Sequence, residues 1–287
     1  LRDYTAPTHA PRIQDIGDVT LPLAETAGCF DDSMSLVERR RLTRSWVHAE
    51  FTSWDRRNSL EGAGIVTFRL SAPSGRALTD IAPPPLLRAP WSLTPPEAVG
   101  IVELLLDTLR TQGVTSFPDG VAATDEMFAP RNRDLFVRLS DRSADTLSWM
   151  PLQRSNRRLE ILDRVLSRRA PTLSVTERDS HARQALSGLF RLLTTPGGPW
   201  AFVLRAEAAV TGGLRYRLDH RYWEMLYSGP DSPYQPWRIC DRCGVLNRVN
   251  VAEVCPTGGC IGHLQPLDPN HPQMTEHNYR AVYTSLE

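Results

Sequence analysis

Four cysteines in the C-terminal quarter define the chemistry this chain can support. They read Cys240-Asp241-Arg242-Cys243-Gly244 and Cys255-Pro256-Thr257-Gly258-Gly259-Cys260, two close pairs with eleven residues between them. Such spacing lets two tight turns face each other, so that four thiolates reach the tetrahedral geometry of Zn²⁺ at about 2.3 Å per bond. Gly244, Gly258 and Gly259 supply the unhindered backbone that these turns require, and Pro256 stiffens the second. A site filled by four sulfurs has no open position for water, so the expected Zn²⁺ is structural and not catalytic. Arg238, Arg242 and Arg248 stand close in sequence and are expected to offset the thiolate charge and ease metal capture. A pair of disulfides is the competing arrangement. It suits a small secreted chain, whereas Leu1-Arg2-Asp3-Tyr4 opens nothing like a signal peptide. The fifth cysteine, Cys29, is expected to be a buried apolar residue. His263, His271 or His277 can in principle replace one sulfur, although surface or capping roles are the plainer expectation for each.

What the chain lacks is as informative. All 33 basic residues are arginine, and no lysine occurs. A phosphate-binding P-loop needs its lysine and Schiff-base chemistry needs an amine, so neither can be built here. Gly-x-Ser-x-Gly and His-Glu-x-x-His are missing too. Asp125-Glu126 has neither the apolar strand nor the P-loop partner of an Mg²⁺-binding acidic pair, and reads as a solvated turn. Asp219 and His220 are neighbours in a strand-like segment and are expected to face opposite ways. The expectation is a chain without catalytic residues of its own.

Charge narrows the choice of partners. The formal net charge is zero, which is not the footprint of a free-standing nucleic-acid binder. Its distribution is uneven: residues 101–145 carry eight acids and five arginines, and residues 154–191 carry nine arginines and four acids. An anionic partner is expected at the second stretch, with Arg157, Arg164 and Arg168 as candidate contacts along the polar side of a helix whose apolar stripe is Leu159, Leu162, Val165 and Leu166, although plain surface solvation is the default expectation for that side. A second arginine face comes from strict alternation. Leu214, Tyr216, Leu218, His220 and Tyr222 interleave with Arg215, Arg217, Asp219 and Arg221, the pattern of one half-buried strand. Arg215, Arg217 and Arg221 are therefore candidate phosphate contacts, as on the wing of a winged helix.

The elements that must position these groups follow from local signals. Composition is that of a soluble globular chain, and no stretch approaches the roughly 18 apolar residues of a membrane span, so the expected location is cytoplasmic. Residues 1–34 are Pro-rich and weakly patterned, and are expected to be an extended leading segment. Ser35 and Glu38 have capping-box spacing and open a helix to about residue 51, with Leu42, Trp46 and Val47 on one face and Arg39, Arg40, Arg41 and Arg44 on the other. The turn Gly62-Ala63-Gly64 then leads into the strand-like Ile65-Val66-Thr67-Phe68, which makes residues 35–82 a winged-helix-like module. Pro83-Pro84-Pro85 reads as a boundary. Thr94-Pro95-Pro96-Glu97 is the strongest helix start, and its helix runs to a stop at Gly113. Short strands are expected at 114–117 and 135–137, and helices at 157–169 and 177–193, the last capped by Thr176. The expected fold class is α+β: winged-helix-like modules, the second spanning 83–236, followed by a small Cys₄ zinc ribbon and C-terminal helix over 237–287.

Four segments also carry a resemblance: Arg57-Asn58-Ser59-Leu60-Glu61-Gly62-Ala63-Gly64-Ile65-Val66, then Arg215-Tyr216-Arg217-Leu218-Asp219-His220-Arg221-Tyr222-Trp223, then Trp237-Arg238-Ile239-Cys240, and finally His277-Asn278-Tyr279-Arg280. With the cysteines, they resemble a stretch of the large prokaryotic superfamily 2 DEAD/DEAH-box helicases that carry a cysteine-rich zinc module, including those of phage-defence systems such as DISARM and Druantia. In that family such a block adjoins the RecA-like motor lobes. The resemblance therefore implies a fragment of a larger helicase, with DNA, the motor lobes of the parent chain and other defence-system subunits as partners. Walker A, the DEAD/DEAH box and the arginine finger are missing from this sequence, and no catalytic residue carries over. A protein-interaction scaffold that never touches DNA is the rival expectation, and zero net charge favours it.

Overall fold

The structure is a computed structural model. It describes residues 10–53, 59–140, 143–153, 155–210, 212–228, 237–268 and 271. Arg57, Asn58, His277 and the other residues of the last resembling segment lie outside them, as does the expected C-terminal helix.

The described residues form a mixed α+β arrangement. Two helices, α1 (Ile13–Thr26) and α2 (Leu36–Phe51), pack on each other ahead of strand β1 (Val66–Leu70). Helix α3 (Pro95–Arg110) is buried along nearly its whole length and forms the centre of the core. It is followed by β2 (Phe136–Arg138), β3 (Thr146–Ser148), α4 (Arg157–Arg169), α5 (Val175–Thr194), β4 (Leu204–Ala208), β5 (Leu214–Leu218) and β6 (Trp223–Tyr227). The ribbon strands are β7 (Arg238–Cys240), β8 (Leu246–Asn247) and β9 (Leu264–Pro266). Three sheets result: β1 with β6, the four strands β3-β2-β5-β4, and β8-β7-β9. One continuous apolar core runs from Ile13 to Val254.

Local signals place the helices well. Ser35 with Glu38 and Thr94 with Glu97 both form complete capping boxes, each satisfying two orphan backbone donors at a helix start. Helix α4 buries Leu159, Ile161, Leu162, Val165 and Leu166, as its spacing demands. Helix α5 starts earlier than expected: Ser174, not Thr176, is its cap, with Glu177 completing the box.

Several expectations are corrected. The leading segment is not extended throughout, because α1 forms within it. Gly17 leaves room for Arg44 of α2, whose Cγ would lie 2.6 Å from a Cβ at that position. Arginines expected on the free side of α2 hold α1 and a neighbouring turn in place: Arg39 pairs with Glu25, Arg40 and Arg44 with Asp18, and Arg41 with Asp125. The buried face of α2 is Thr43, Ser45, His48 and Phe51, while Leu42, Trp46 and Val47 are half-buried. Cys29 is exposed, because it lies in the turn after α1.

The strands depart further. Residues 114–117 make only an isolated bridge, Thr115 to Leu218. The alternating segment 214–222 is not one strand: β5 ends at Leu218, and Asp219 caps a tight turn by accepting from Arg221 N. Among the described residues, β1 has no local hairpin partner of the kind a winged helix needs. It pairs antiparallel with β6, Val66 opposite Tyr227 and Leu70 opposite Trp223.

Candidate metal centre

The ribbon brings the four cysteine sulfurs together. Cys240 ends β7, Cys243 sits in the turn toward β8, and Cys255 and Cys260 flank the second turn before β9. All four sulfurs lie within 4.8 Å of one another, with Cys240 to Cys260 at 3.7 Å and Cys243 to Cys255 at 3.6 Å. A tetrahedron of about 2.3 Å metal–sulfur bonds has edges of about 3.8 Å, so this cluster has the dimensions of a four-thiolate metal site. Cys240, Cys255 and Cys260 are buried, and Cys243 faces solvent. No second group of this kind occurs among the described residues.

Backbone hydrogen bonds build both turns. Gly244 N donates to Cys240 O and Cys240 N to Val245 O, closing the first. Cys260 N donates to Thr257 O in the second. Gly244 (φ 68°) and Gly259 (φ 69°) adopt the left-handed conformation that glycine tolerates best. The strongest glycine requirement lies elsewhere, at Gly262, where a Cβ would stand 2.5 Å from Cys240 Sγ and 2.6 Å from Arg242 Cβ. Its place just outside both cysteine pairs hides it from a reading based on spacing.

Burial raises the thiols of Cys240 and Cys255 above their ordinary value, against the backbone and hydroxyl donors around them. Cys243 is different. Burial opposes its ionisation, but the Val245 N–H and the Thr257 hydroxyl outweigh it and bring the thiol to about 7. Metal capture at Cys240 and Cys255 must therefore displace protons.

Helix α4 touches the second turn directly. Arg157 Nε donates to Pro256 O at 2.8 Å, Arg164 Nη1 donates to Thr257 O at 3.1 Å and also to Cys260 O, and Glu160 Oε2 accepts from Gly259 N at 3.2 Å. Arg168 pairs with Glu253 and with the ring of His263. The arginines expected along an open helix side thus face the ribbon. Arg248, expected near the sulfurs, instead bonds Glu103 of α3 and Phe68 O of β1.

The other arginine group lies on the outer face of the four-stranded sheet and just beyond it. Arg215 pairs with Asp145 and stacks its guanidinium 3.5 Å from the Phe136 ring centroid. Arg217 pairs with Asp134 and Glu207. Arg221, half exposed at 52%, pairs with Asp219 in the turn before β6. Arg205 stands directly opposite Arg217 and is exposed. His220 turns away from Asp219 to bond Ser116 Oγ at 2.8 Å, and the two form no dyad.

No protein-family model matches this chain, and no match is found among curated proteins or solved structures. The class the fold and site define is an α+β chain carrying a small C-terminal cysteine ribbon fit to hold a metal ion. No helix among the described residues is long and apolar enough to cross a membrane.

Proposed function

We propose that this chain is an accessory nucleic-acid-binding region of an ATP-dependent DNA helicase or translocase of the phage-defence type, braced by one structural Zn²⁺. One observation carries the reading: two of the segments that resemble the helicase family meet directly, and a third ends at the strand that pairs beside them. Val66 to Leu70 pairs with β6, which begins at Trp223, and Trp237 Nε1 donates to Gly64 O at 3.0 Å just ahead of the cysteine ribbon. Segments far apart in sequence thus share one structural joint, as expected if they were kept together for one role. Four soft thiolates at tetrahedral spacing suit Zn²⁺, and a filled Cys₄ shell assigns it to stability. Free thiols require a reducing compartment, which favours the cytoplasm. Motor lobes and ATP chemistry belong to other parts of the parent protein.

Phosphate contact is assigned to Arg215, Arg217 and Arg221. Arg221 is the most accessible, while Arg215 and Arg217 must exchange carboxylate partners for phosphate. Titration of duplex and single-stranded DNA at several salt concentrations tests this. Arg221→Ala, alone and with Arg215→Ala and Arg217→Ala, should weaken binding and flatten its salt dependence. Unchanged affinity and slope in the triple variant would remove this face from the proposal.

A second reading, a zinc-stabilised scaffold that docks partner subunits without DNA, is favoured by the ion pairs that occupy Arg215, Arg217 and Arg221 and by zero net charge. Absence of any DNA binding by the native chain selects it.

A further inference from the structure

We propose that helix α4 is a working part of the metal centre, with Arg164 its principal positioning residue, supported by Arg157 and Glu160. The inference rests on the metal reading above and adds residues about ninety positions upstream of the cysteines, which the sulfur spacing alone does not reveal.

Within the five residues from Pro256 to Cys260, three carbonyl oxygens accept from α4 guanidinium groups, and the N–H of Gly259 donates to Glu160. Arg164 spans the turn by reaching both Thr257 O and Cys260 O, and its Nε is fixed to its own helix through Glu160 O at 3.0 Å. Its second terminal nitrogen, Nη2, is shielded from solvent and has no hydrogen-bond partner. A cation thus stands against the backbone of the turn that carries Cys255 and Cys260. Four thiolates around a divalent ion carry two net negative charges, so a nearby guanidinium stabilises the loaded state, and the held carbonyls keep Cys255 and Cys260 apart by the distance a metal requires.

The platform itself is rigid. Leu159, Leu162, Val165 and Leu166 anchor α4 in the core. The loop leading to Cys255 is also seated there: Val251 and Val254 are buried, and Val249 and Val251 press against Gly100 of α3, where a Cβ would lie 2.9 Å from Val249. The second turn is therefore held by the body of the protein, and the metal closes the first turn onto it. Preorganised ligands bind more tightly, because less ordering remains to be done at capture.

Arg164→Ala in the full chain tests this, with zinc affinity measured by competition against a chromophoric chelator and Co²⁺ substitution reporting ligand geometry. Removing an outer partner of a metal ligand weakens affinity on the order of 10–100-fold. Arg164→Ala should fall in that range and shift the cobalt ligand-field bands. Arg164→Lys should restore affinity only in part, because an ammonium lacks the Nε–H that anchors the Arg164 guanidinium to Glu160 O and so is held less firmly against the two carbonyls. Arg178→Ala, which removes an ion pair from α5 to Asp163 of α4, controls for general loosening and should leave affinity within about twofold of native on the same scale. Should Arg164→Ala not fold, the double variant Arg157→Ala/Glu160→Ala carries the test with the same expectation. Native-like affinity and spectrum in the Arg164 or double variant, or an equal loss in Arg178→Ala, would overturn the inference. A native chain that takes up no metal would instead defeat the underlying metal reading.

Discussion

Trp237 donates its indole N–H to the carbonyl oxygen of Gly64 at 3.0 Å, and through that bond the start of the ribbon is fastened to the turn before β1. Ser228 completes the joint: its N–H donates to Ile65 O, and its hydroxyl lies 3.1 Å from the same indole nitrogen. The joint is buried, so its polar groups depend on one another for partners.

Replacing Trp237 with Phe keeps most of the apolar contact and removes the donor. The buried Gly64 carbonyl then relies on the longer Ser228 contact at 3.4 Å. Stability should fall by about 1–3 kcal/mol, read as a lower urea midpoint with unchanged slope.

Gly262→Ala should damage the metal site without touching a ligand. The added methyl meets Cys240 Sγ, Arg242 Cβ and Asp241 Oδ1, all closer than 3.0 Å. Asp241 Oδ1 is itself held by His263 N at 2.8 Å, which limits relaxation. Zinc affinity in a chelator competition should drop by at least tenfold, the lower end of what a disturbed metal shell costs.

Arg110 is fully buried, with its guanidinium between Asp107 and Glu61, donating also to Phe51 O. Burial opposes its charge, but the two carboxylates overcome that and hold its pKa above the ordinary arginine value. Arg110→Ala removes the cation that lies between two carboxylates in the core and should cost about 3–5 kcal/mol in chemical unfolding. Adding Glu61→Gln should recover part of the loss, because one uncompensated charge is removed.

Acid should loosen the region around His48 and His220. His48 is enclosed by Phe51, Phe117, Phe128 and His220, and neither ring nitrogen has a hydrogen-bond partner. Burial, and secondarily His220, hold its pKa well below 6.5. Burial likewise lowers His220 to about 4, although Asp219 and Asp119 pull the other way. Both folded-state values lie below the unfolded one, so the unfolded chain binds more protons in between. Their contribution is complete above about pH 6.5 and is lost as pH falls toward 4, on the order of 3 kcal/mol for His220. Unfolding free energy measured from pH 7 to 4 should show this decline, and His48→Leu should make it shallower. Equal slopes in the two proteins would exclude His48 as a source.

How far the molecule could be read from its sequence follows the range of each signal. Capping boxes are written in four consecutive residues, and Ser35/Glu38 and Thr94/Glu97 act where their spacing puts them. Helix α1 lacks that signal: its cap, Arg12, makes no side-chain hydrogen bond, and Pro22 lies inside it. The cysteine spacing was legible because a tetrahedral ion imposes its own distances. Gly262 was not, since its need for a bare backbone arises from Cys240 twenty-two residues earlier. Alternation across 214–222 described sides correctly near Tyr216 but missed the turn at Asp219, which separates β5 from β6 and sends them to different sheets. The polar side of α4 was also legible, but what covers it was not, because its partners come from the ribbon some ninety residues later.

The account stands most directly on the metal. Zinc content of the purified full chain, determined by elemental analysis beside Cys240→Ser with the fold of each followed by circular dichroism, is the decisive measurement. One zinc per native chain, and a marked loss in Cys240→Ser, is the predicted result. A native chain that is folded and free of metal, or a serine variant that keeps its full complement, would contradict it.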